Sequence, residues 1–207
     1  MEQFVINIGR QLGSGGRTVG EIIARRLGVK LYDKELINLA ARESGICPEF
    51  FEKADEKESR GVISTVVGYL RAPFVGDDGG VTNVLSNDAL FKIQSDVIRA
   101  VAARESAVFV GRCADYILRE NPRCVNVFLT ADDADRIRSR QGCTAEEARA
   151  MMERVDARRA SYYNYYSSRT WGEAATYHLC VSTSPLGDEG TADFILEFAA
   201  RKLNMKF

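Results

Sequence analysis

The sequence contains few of the residues from which metal centres and disulfide scaffolds are built. Histidine occurs once among 207 residues, as His178, so no group of histidines exists to hold a metal ion. The five cysteines are scattered and odd in number, and none belongs to a Cys-x-x-Cys pair. A disulfide framework and a zinc site are therefore not expected, and reduced thiols in a cytosolic protein are the simplest interpretation.

Neither sign of charge is in excess, and no long apolar run occurs. Lys and Arg total 28 against 29 for Asp and Glu, which gives a formal net charge of −1. Proteins that hold duplex nucleic acid by its phosphates usually carry a large basic excess, so we expect no nucleic-acid partner. No window approaches about 20 consecutive apolar residues, and the first residues lack the features of a signal peptide. The sequence predicts a cytoplasmic protein without a membrane partner.

The first informative unit is a short apolar segment that runs into glycines. Residues 4–8 read Phe-Val-Ile-Asn-Ile, which predicts a buried parallel strand. After the glycines, a helix that ends at Gly28 is predicted from apolar residues at helical spacing, namely Val19, Ile22, Ile23 and Leu27. A strand, a glycine-rich loop and a helix in this order predict the start of a β-α unit.

The same alternation continues to the end of the chain. Further strands are predicted from apolar segments at residues 29–32, 107–110, 125–129 and 179–181. Further helices are predicted at residues 34–44, 88–103, 113–120, 131–166 and 190–202. The glycine-rich segment 61–87 is expected to form a flap rather than core. We therefore predict one α/β domain over residues 1–207, with a parallel sheet covered on both faces.

The loop after the first strand has the composition of an anion cradle. Its backbone N–H groups and the positive end of the helix dipole act on the same point. Gly13, Ser14, Gly15 and Gly16 permit the close backbone approach that a phosphate needs. The alternative is a glycine turn that only joins a strand to a helix.

The spacing of the loop approximates a known phosphate-binding pattern. The standard phosphate loop reads G-x-x-x-x-G-K-[ST]. In this register Gln11 replaces the first glycine and Arg17 replaces the lysine, while Gly16 and Thr18 match. We expect Arg17 to substitute for the lysine, because arginine keeps the positive charge. Thr18, in the first helical turn, is the predicted ligand of a magnesium ion.

Four separated segments resemble the cytidylate kinase-like family, a branch of the P-loop nucleoside monophosphate kinases. They are residues 6–17, 31–37 and 108–115, and the Asp156-x-x-Arg159 motif that leads into Tyr162-Tyr163. Together they span nearly the whole chain. The resemblance implies a three-layer α/β/α P-loop NTPase fold with a helical lid and an acceptor flap. It further implies ATP as the nucleotide donor, Mg²⁺ as the metal, and a small phosphorylated acceptor such as CMP or dCMP.

The resemblance also implies roles for side chains outside the loop. Arg112, which follows a predicted strand, would grip the acceptor phosphate, and Asp33 would help to bind the acceptor or magnesium. Arg158 and Arg159 belong to the lid expected at residues 150–177, where they would stabilise the transferring phosphoryl group. The simpler alternatives are a surface ion pair for Arg112 and a helix N-cap for Asp33.

Most other arginines near the lid have a simpler interpretation as well. Most of the remaining arginines of this region are expected to be solvated helix charges that pair with nearby carboxylates; they are Arg136, Arg138, Arg140, Arg154 and Arg169. The aromatic residues from Tyr162 to Tyr177 could stack on a base, but packing of the lid or contact between subunits of a homo-oligomer is favoured. Cys113 is expected to be a buried structural cysteine rather than a reactive thiol.

Three positions depart from authentic cytidylate kinases. Those enzymes have lysine where the loop has Arg17, and aspartate where the chain has Cys113. They have an Asp-Ser-Thr run where the chain has Ser182-Thr183-Ser184. Two alternatives to a nucleoside monophosphate kinase therefore stay open. One is a kinase for a different small acceptor, and the other is a nucleotide-binding regulatory protein without catalysis.

Overall fold

A computed structural model describes residues 3–33, Ile37 and residues 87–207, and within these ranges it contains one parallel sheet. The strands are β1 (Val5–Arg10), β2 (Lys30–Tyr32), β3 (Ala107–Val110), β4 (Cys124–Thr130) and β5 (Leu179–Ser182). Their order across the sheet is β2-β3-β1-β4-β5, and each neighbouring pair is parallel. The predicted α/β fold with a parallel sheet is confirmed.

Helices cover the sheet on both faces. They are α1 (Gly16–Leu27), α2 (Asn87–Arg104), α3 (Ala114–Ile117), α4 (Asp133–Arg138), α5 (Ala145–Ser167) and α6 (Gly187–Leu203). A short 3₁₀ helix, Ala174–Thr176, precedes β5. Within the described ranges, no helix is long and apolar enough to cross a membrane. The helix predicted at residues 34–44 and the flap predicted at 61–87 lie outside the described residues, apart from Ile37 and Asn87.

The helix predicted over residues 131–166 is wrong, because the chain forms two helices there. Gly142 has a φ of +82°, which lies in the left-handed region and interrupts a right-handed helix. Thr144 then starts α5 with a capping box: its side chain accepts a hydrogen bond from the Glu147 N–H, and the Glu147 carboxylate accepts from the Thr144 N–H. The predicted end of the first helix is confirmed. Gly28 ends α1 in a left-handed conformation, as expected from its position.

The apolar core lies in two layers, one on each face of the sheet. On one face, residues such as Ile6 and Val127 pack against α1 and α6. On the other face, Phe109 and Phe128 pack against α2, α3 and the end of α5. Side chains alternate between faces along a strand, so buried strands carry apolar residues in both directions. This sandwich of helix, sheet and helix holds the strand ends in place.

The strand order places a binding crevice at the end of β1. The chain passes from β1 to β2 and β3 on one side, whereas β4 and β5 lie on the other side. In open α/β sheets, ligands bind at the carboxyl ends of the strands where the order reverses in this way. The glycine-rich loop, which follows β1, is at this point.

Candidate active site

The glycine-rich loop leaves β1 and turns directly into α1. Gly13 and Gly15 have φ values of +83° and +70°, which glycine adopts without strain. Gly15 is the N-cap of α1, and no side chain caps the helix there. The Val19 N–H donates to the Gly15 carbonyl at 2.9 Å and closes the first helical turn. The N–H groups before it point out of the helix at the positive end of the dipole, which is an anion-binding arrangement.

Three glycines of the loop leave no room for a side chain. A Cβ at Gly13 would lie 2.8 Å from the carbonyl oxygen of Arg136. A Cβ at Gly15 would collide with the Asp188 carboxylate, and one at Gly16 would lie 2.7 Å from the Cβ of Arg10. The loop is therefore packed between α4, α6 and the end of β1, and its backbone is held in the shape of a cradle.

A cavity of about 920 Å³ opens in front of this cradle. Its volume falls in the range of small-molecule sites. Five arginines contribute to the wall against two carboxylates, Asp135 and Asp188; the arginines are Arg10, Arg17, Arg138, Arg140 and Arg159. Gly13, Gly15, Gly16 and Thr18 also line it, whereas Ser14 is buried and its hydroxyl donates to the Gln11 carbonyl at 3.0 Å. The surplus of positive charge suits a polyanionic ligand.

Two charged side chains anchor the loop from behind. The Asp156 carboxylate accepts a hydrogen bond from the Leu12 N–H at 2.8 Å, and Arg136 Nε donates to the Leu12 carbonyl at 2.8 Å. Arg136 also forms an ion pair with Asp156, and it is only 7% exposed. The expectation of a solvated helix charge is therefore wrong for Arg136, because its guanidinium is buried against the loop.

The two predicted lid arginines occupy different places. Arg159 lines the cavity, and its Nη1 donates to the Arg10 carbonyl at 3.1 Å. Burial, together with the nearby Arg140 and Arg136, lowers the pKa of Arg159, although Asp156 opposes this effect. Arg158 is half-buried and is not among the residues of the cavity wall. The structure therefore brings Arg159, and not Arg158, to the cavity beside the glycine-rich loop.

Arg17 and Thr18 lie in the first turn of α1, and both line the cavity. Arg17 Nε is 3.0 Å from a Glu21 carboxylate oxygen, and Arg17 Nη1 is 3.4 Å from Asp33 Oδ2. Asp33 follows β2, and its carbonyl accepts a hydrogen bond from the Ile37 N–H at 2.9 Å. The side chain in the place of the loop lysine is thus drawn towards the end of β2. A catalytic role for Arg17 stays a prediction.

The turn after β3 presents Arg112 in a left-handed conformation. Gly111, Arg112 and Cys113 have φ values of +79°, +61° and +56°. The guanidinium carbon of Arg112 lies 5.1 Å from the centre of the Tyr162 ring, within the range of a cation–π contact. Cys113 is buried, and burial raises the pKa of its thiol to about 12. This agrees with the expectation of a structural cysteine.

Most of the aromatic run belongs to the core. The Tyr163 hydroxyl donates to Asp115 Oδ2 at 2.6 Å, and both residues are buried. Trp171 and Tyr177 pack on Phe128 with ring centres 5.1 and 5.0 Å away. These contacts favour the packing interpretation over base stacking, and they tie residues 163–177 of the predicted lid to the sheet.

The family model of the cytidylate kinase-like family matches residues 5–185. The chain belongs to this family. An uncharacterized protein from Eubacterium ventriosum ATCC 27560 has a similar solved structure, with a TM-score of 0.69 and 26% identity over 95% of this chain and 98% of that one. A search of curated proteins finds no match.

Two solved kinases show the same fold at lower identity. Shikimate kinase from Bacteroides thetaiotaomicron is 17% identical with a TM-score of 0.50, covering 98% of this chain and 99% of its own. A gluconokinase from Sinorhizobium meliloti 1021 is 15% identical with a TM-score of 0.52, covering 98% and 96%. The fold is therefore that of small-molecule kinases of the P-loop type.

The sequence did not predict that Arg136 and Asp156 anchor the loop. Asp156 and Arg159 are three positions apart, so they share one face of α5, and this face contacts the loop. That spacing was the available signal for Asp156. Arg136 gave no comparable signal, because its partners become neighbours only after folding.

Proposed function

We propose that this protein is an ATP-dependent phosphotransferase whose acceptor is a nucleoside monophosphate, CMP or dCMP. The family and the kinase fold support phosphoryl transfer to a small molecule. The observation that carries the proposal is the cradle itself. An uncapped N-terminus of α1 faces a cavity of about 920 Å³ in which arginines outnumber carboxylates.

In this proposal, Gly13, Gly15 and Gly16 hold the donor phosphates through backbone N–H groups. The residues fit this ligand, because these glycines leave no room for a side chain and their backbone lines the cavity. The exposed Thr18 hydroxyl would hold Mg²⁺, which neutralises phosphate charge when bound. Magnesium commonly takes its other ligands from substrate phosphates and water. That fits the described residues, which contain no group of three or more His, Cys, Asp or Glu side chains arranged for a metal.

The acceptor side of the proposal rests on the ends of β2 and β3. Arg112 would bind the acceptor phosphate, since a guanidinium holds a phosphate through two parallel hydrogen bonds. Asp33 lies at the neighbouring strand end and would orient the acceptor. Arg159 would stabilise the transferring group from α5, with Arg158 joining it if the lid closes. No general base is required, because phosphoryl transfer depends mainly on position and charge.

A coupled assay tests the proposal directly. ATP and Mg²⁺ are supplied with CMP, dCMP, UMP, AMP and GMP, and with shikimate and gluconate as acceptors without a nucleotide. We expect turnover with CMP or dCMP. Turnover with shikimate or gluconate alone would favour a kinase for a different acceptor.

Thermal denaturation, combined with the assay, distinguishes a kinase from a nucleotide-binding regulatory protein. At a ligand concentration about 100 times Kd, Mg-ATP would stabilise the protein by about 2.7 kcal/mol. For a chain of this size, that corresponds to a rise in Tm of roughly 5–11 °C. A rise without turnover on any acceptor would favour a nucleotide-binding regulatory protein. No rise with any nucleoside triphosphate would refute the phosphate cradle.

A further inference from the structure

Arg10, the last residue of β1, lies between the two halves of the proposed site. Its aliphatic stem packs on the start of α1, where a Cβ at Gly16 would lie 2.7 Å from Arg10 Cβ and Cγ. Its guanidinium lies against Gly111, where a Cβ would contact Nη1 and lie 3.1 Å from Cζ. Arg10 therefore reaches from the donor cradle to the turn that carries Arg112, and it lines the cavity.

The surroundings of Arg10 are unusually positive. Burial and the charges of Arg159 and Arg112 lower the pKa of Arg10, while Asp33 and Asp156 act in the opposite direction. Both of these carboxylates form ion pairs with other arginines, Asp156 with Arg136 and Asp33 with Arg17. No carboxylate in the described part of the chain lies within ion-pair distance of Arg10. A phosphate group between the cradle and Arg112 would relieve this concentration of charge.

Arg17 is placed differently. Its side chain is 64% exposed and forms ion pairs with Glu21 and with Asp33. Two carboxylates close to one guanidinium offset its charge at the cradle. Arg17 also orients the Asp33 carboxylate at the end of β2.

We propose that Arg10 is a catalytic residue that contacts the transferring phosphoryl group together with Arg159, and that Arg17 is a positioning residue for Asp33. The proposal rests on the proposed function. In the reaction, the bond between the γ-phosphorus of ATP and its bridging oxygen breaks, and the electron pair stays on ADP. A new bond forms between that phosphorus and an oxygen of the acceptor phosphate, and any proton on this oxygen passes to solvent. Arg10 transfers no proton; it donates hydrogen bonds to the phosphoryl oxygens.

Steady-state kinetics of four variants test this assignment. We expect Arg10→Met to lower kcat by at least about 100-fold, the effect of losing one preorganised charge partner. Arg10→Lys retains the charge and should lose less. Arg17→Met should lower kcat by less than about tenfold and act mainly on the KM of the acceptor, because a positioning residue acts through Asp33. Arg201→Met is the matched control, since Arg201 is exposed on α6, pairs with Glu197 and is not in the cavity wall.

A binding measurement that needs no turnover complements the kinetics. Titration calorimetry with inorganic tripolyphosphate should show binding to the wild type and to the Arg201→Met variant. Affinity should fall by about tenfold or more in Arg10→Met, the loss expected for a hydrogen bond between charged groups. Arg17→Met should change it by less than about threefold. Circular dichroism confirms that each variant is folded, and Arg10→Lys replaces Arg10→Met if the latter is not.

The outcomes separate this assignment from the proposed function. If the wild type turns over and Arg10→Met keeps its kcat, the assignment of Arg10 is wrong while the proposed function stands. A greater loss of kcat in Arg17→Met than in Arg10→Met has the same meaning. If the wild type phosphorylates no acceptor but binds tripolyphosphate, and Arg10→Met weakens this binding, the proposed function fails. Arg10 then remains a phosphate ligand. A wild type with neither turnover nor tripolyphosphate binding overturns both.

Discussion

Replacing Asp156 with alanine tests the anchor that holds the glycine-rich loop. The substitution removes the acceptor of the Leu12 N–H and the ion-pair partner of Arg136. Breaking a buried pair on one side costs about 3–5 kcal/mol, because the other charge stays buried. Arg136 keeps its hydrogen bond to the Leu12 carbonyl and its ion pair with Asp133 at 3.4 Å, so the lower figure applies. We expect a loss of about 3 kcal/mol, or roughly 6–12 °C in Tm.

Urea denaturation of a double-mutant cycle measures this loss. The cycle contains Asp156→Ala, Arg136→Ala and the double variant, and we expect the two residues to be coupled by about 1–3 kcal/mol. Glu197→Ala is the control, because it breaks an exposed ion pair with Arg201 and should cost less than about 1 kcal/mol. The reasoning fails if Asp156→Ala is no more destabilising than Glu197→Ala, or if the two single losses simply add.

Two further variants probe the loop and the core. Gly13→Ala should abolish the stabilisation by Mg-ATP in a thermal-shift assay, because Gly13 has a φ of +83° and its Cβ would lie 2.8 Å from the Arg136 carbonyl oxygen. Retained stabilisation would show that the loop tolerates a different shape. Asp115→Asn should raise Tm at pH 7, and the Tm of this variant should fall less steeply than that of the wild type as pH rises. Burial raises the pKa of Asp115, so the folded state holds this proton more tightly than the unfolded state. Stability is then fullest below the unfolded pKa and is lost as pH rises through the folded pKa. An unchanged pH profile in scanning calorimetry would contradict this.

The parts of the fold that local sequence determines were predictable. Strands β1, β3, β4 and β5 are built mainly of apolar residues, and Gly28 marks the end of α1 in the sequence as in the structure. The break between α4 and α5 was missed because the arginine-rich sequence of residues 131–166 predicted one continuous helix. Its two signals, Gly142 and the capping box of Thr144, are short and local.

The candidate site also has parts that could be predicted from the sequence and parts that could not. The glycine-rich loop between β1 and α1 was predictable, because its glycines and the helix that follows are contiguous. Its anchors were not, since Asp156 and Arg136 lie 144 and 124 positions from Leu12 and meet it only in the folded chain. The direction of the Arg17 side chain could not be predicted from the sequence either, because it depends on the position of Asp33 at the end of another strand.

If Arg112 binds the acceptor phosphate as proposed, the left-handed turn after β3 sets folding against activity at a single position. A residue other than glycine in this conformation costs about 1–2 kcal/mol, so Arg112→Gly would relieve strain while removing the guanidinium beside Tyr162. A laboratory population evolved for heat resistance alone is expected to accumulate glycine at this position. With Arg112 in its proposed role, selection that also demands turnover would retain the arginine, so residue 112 would report which of the two pressures a lineage had experienced.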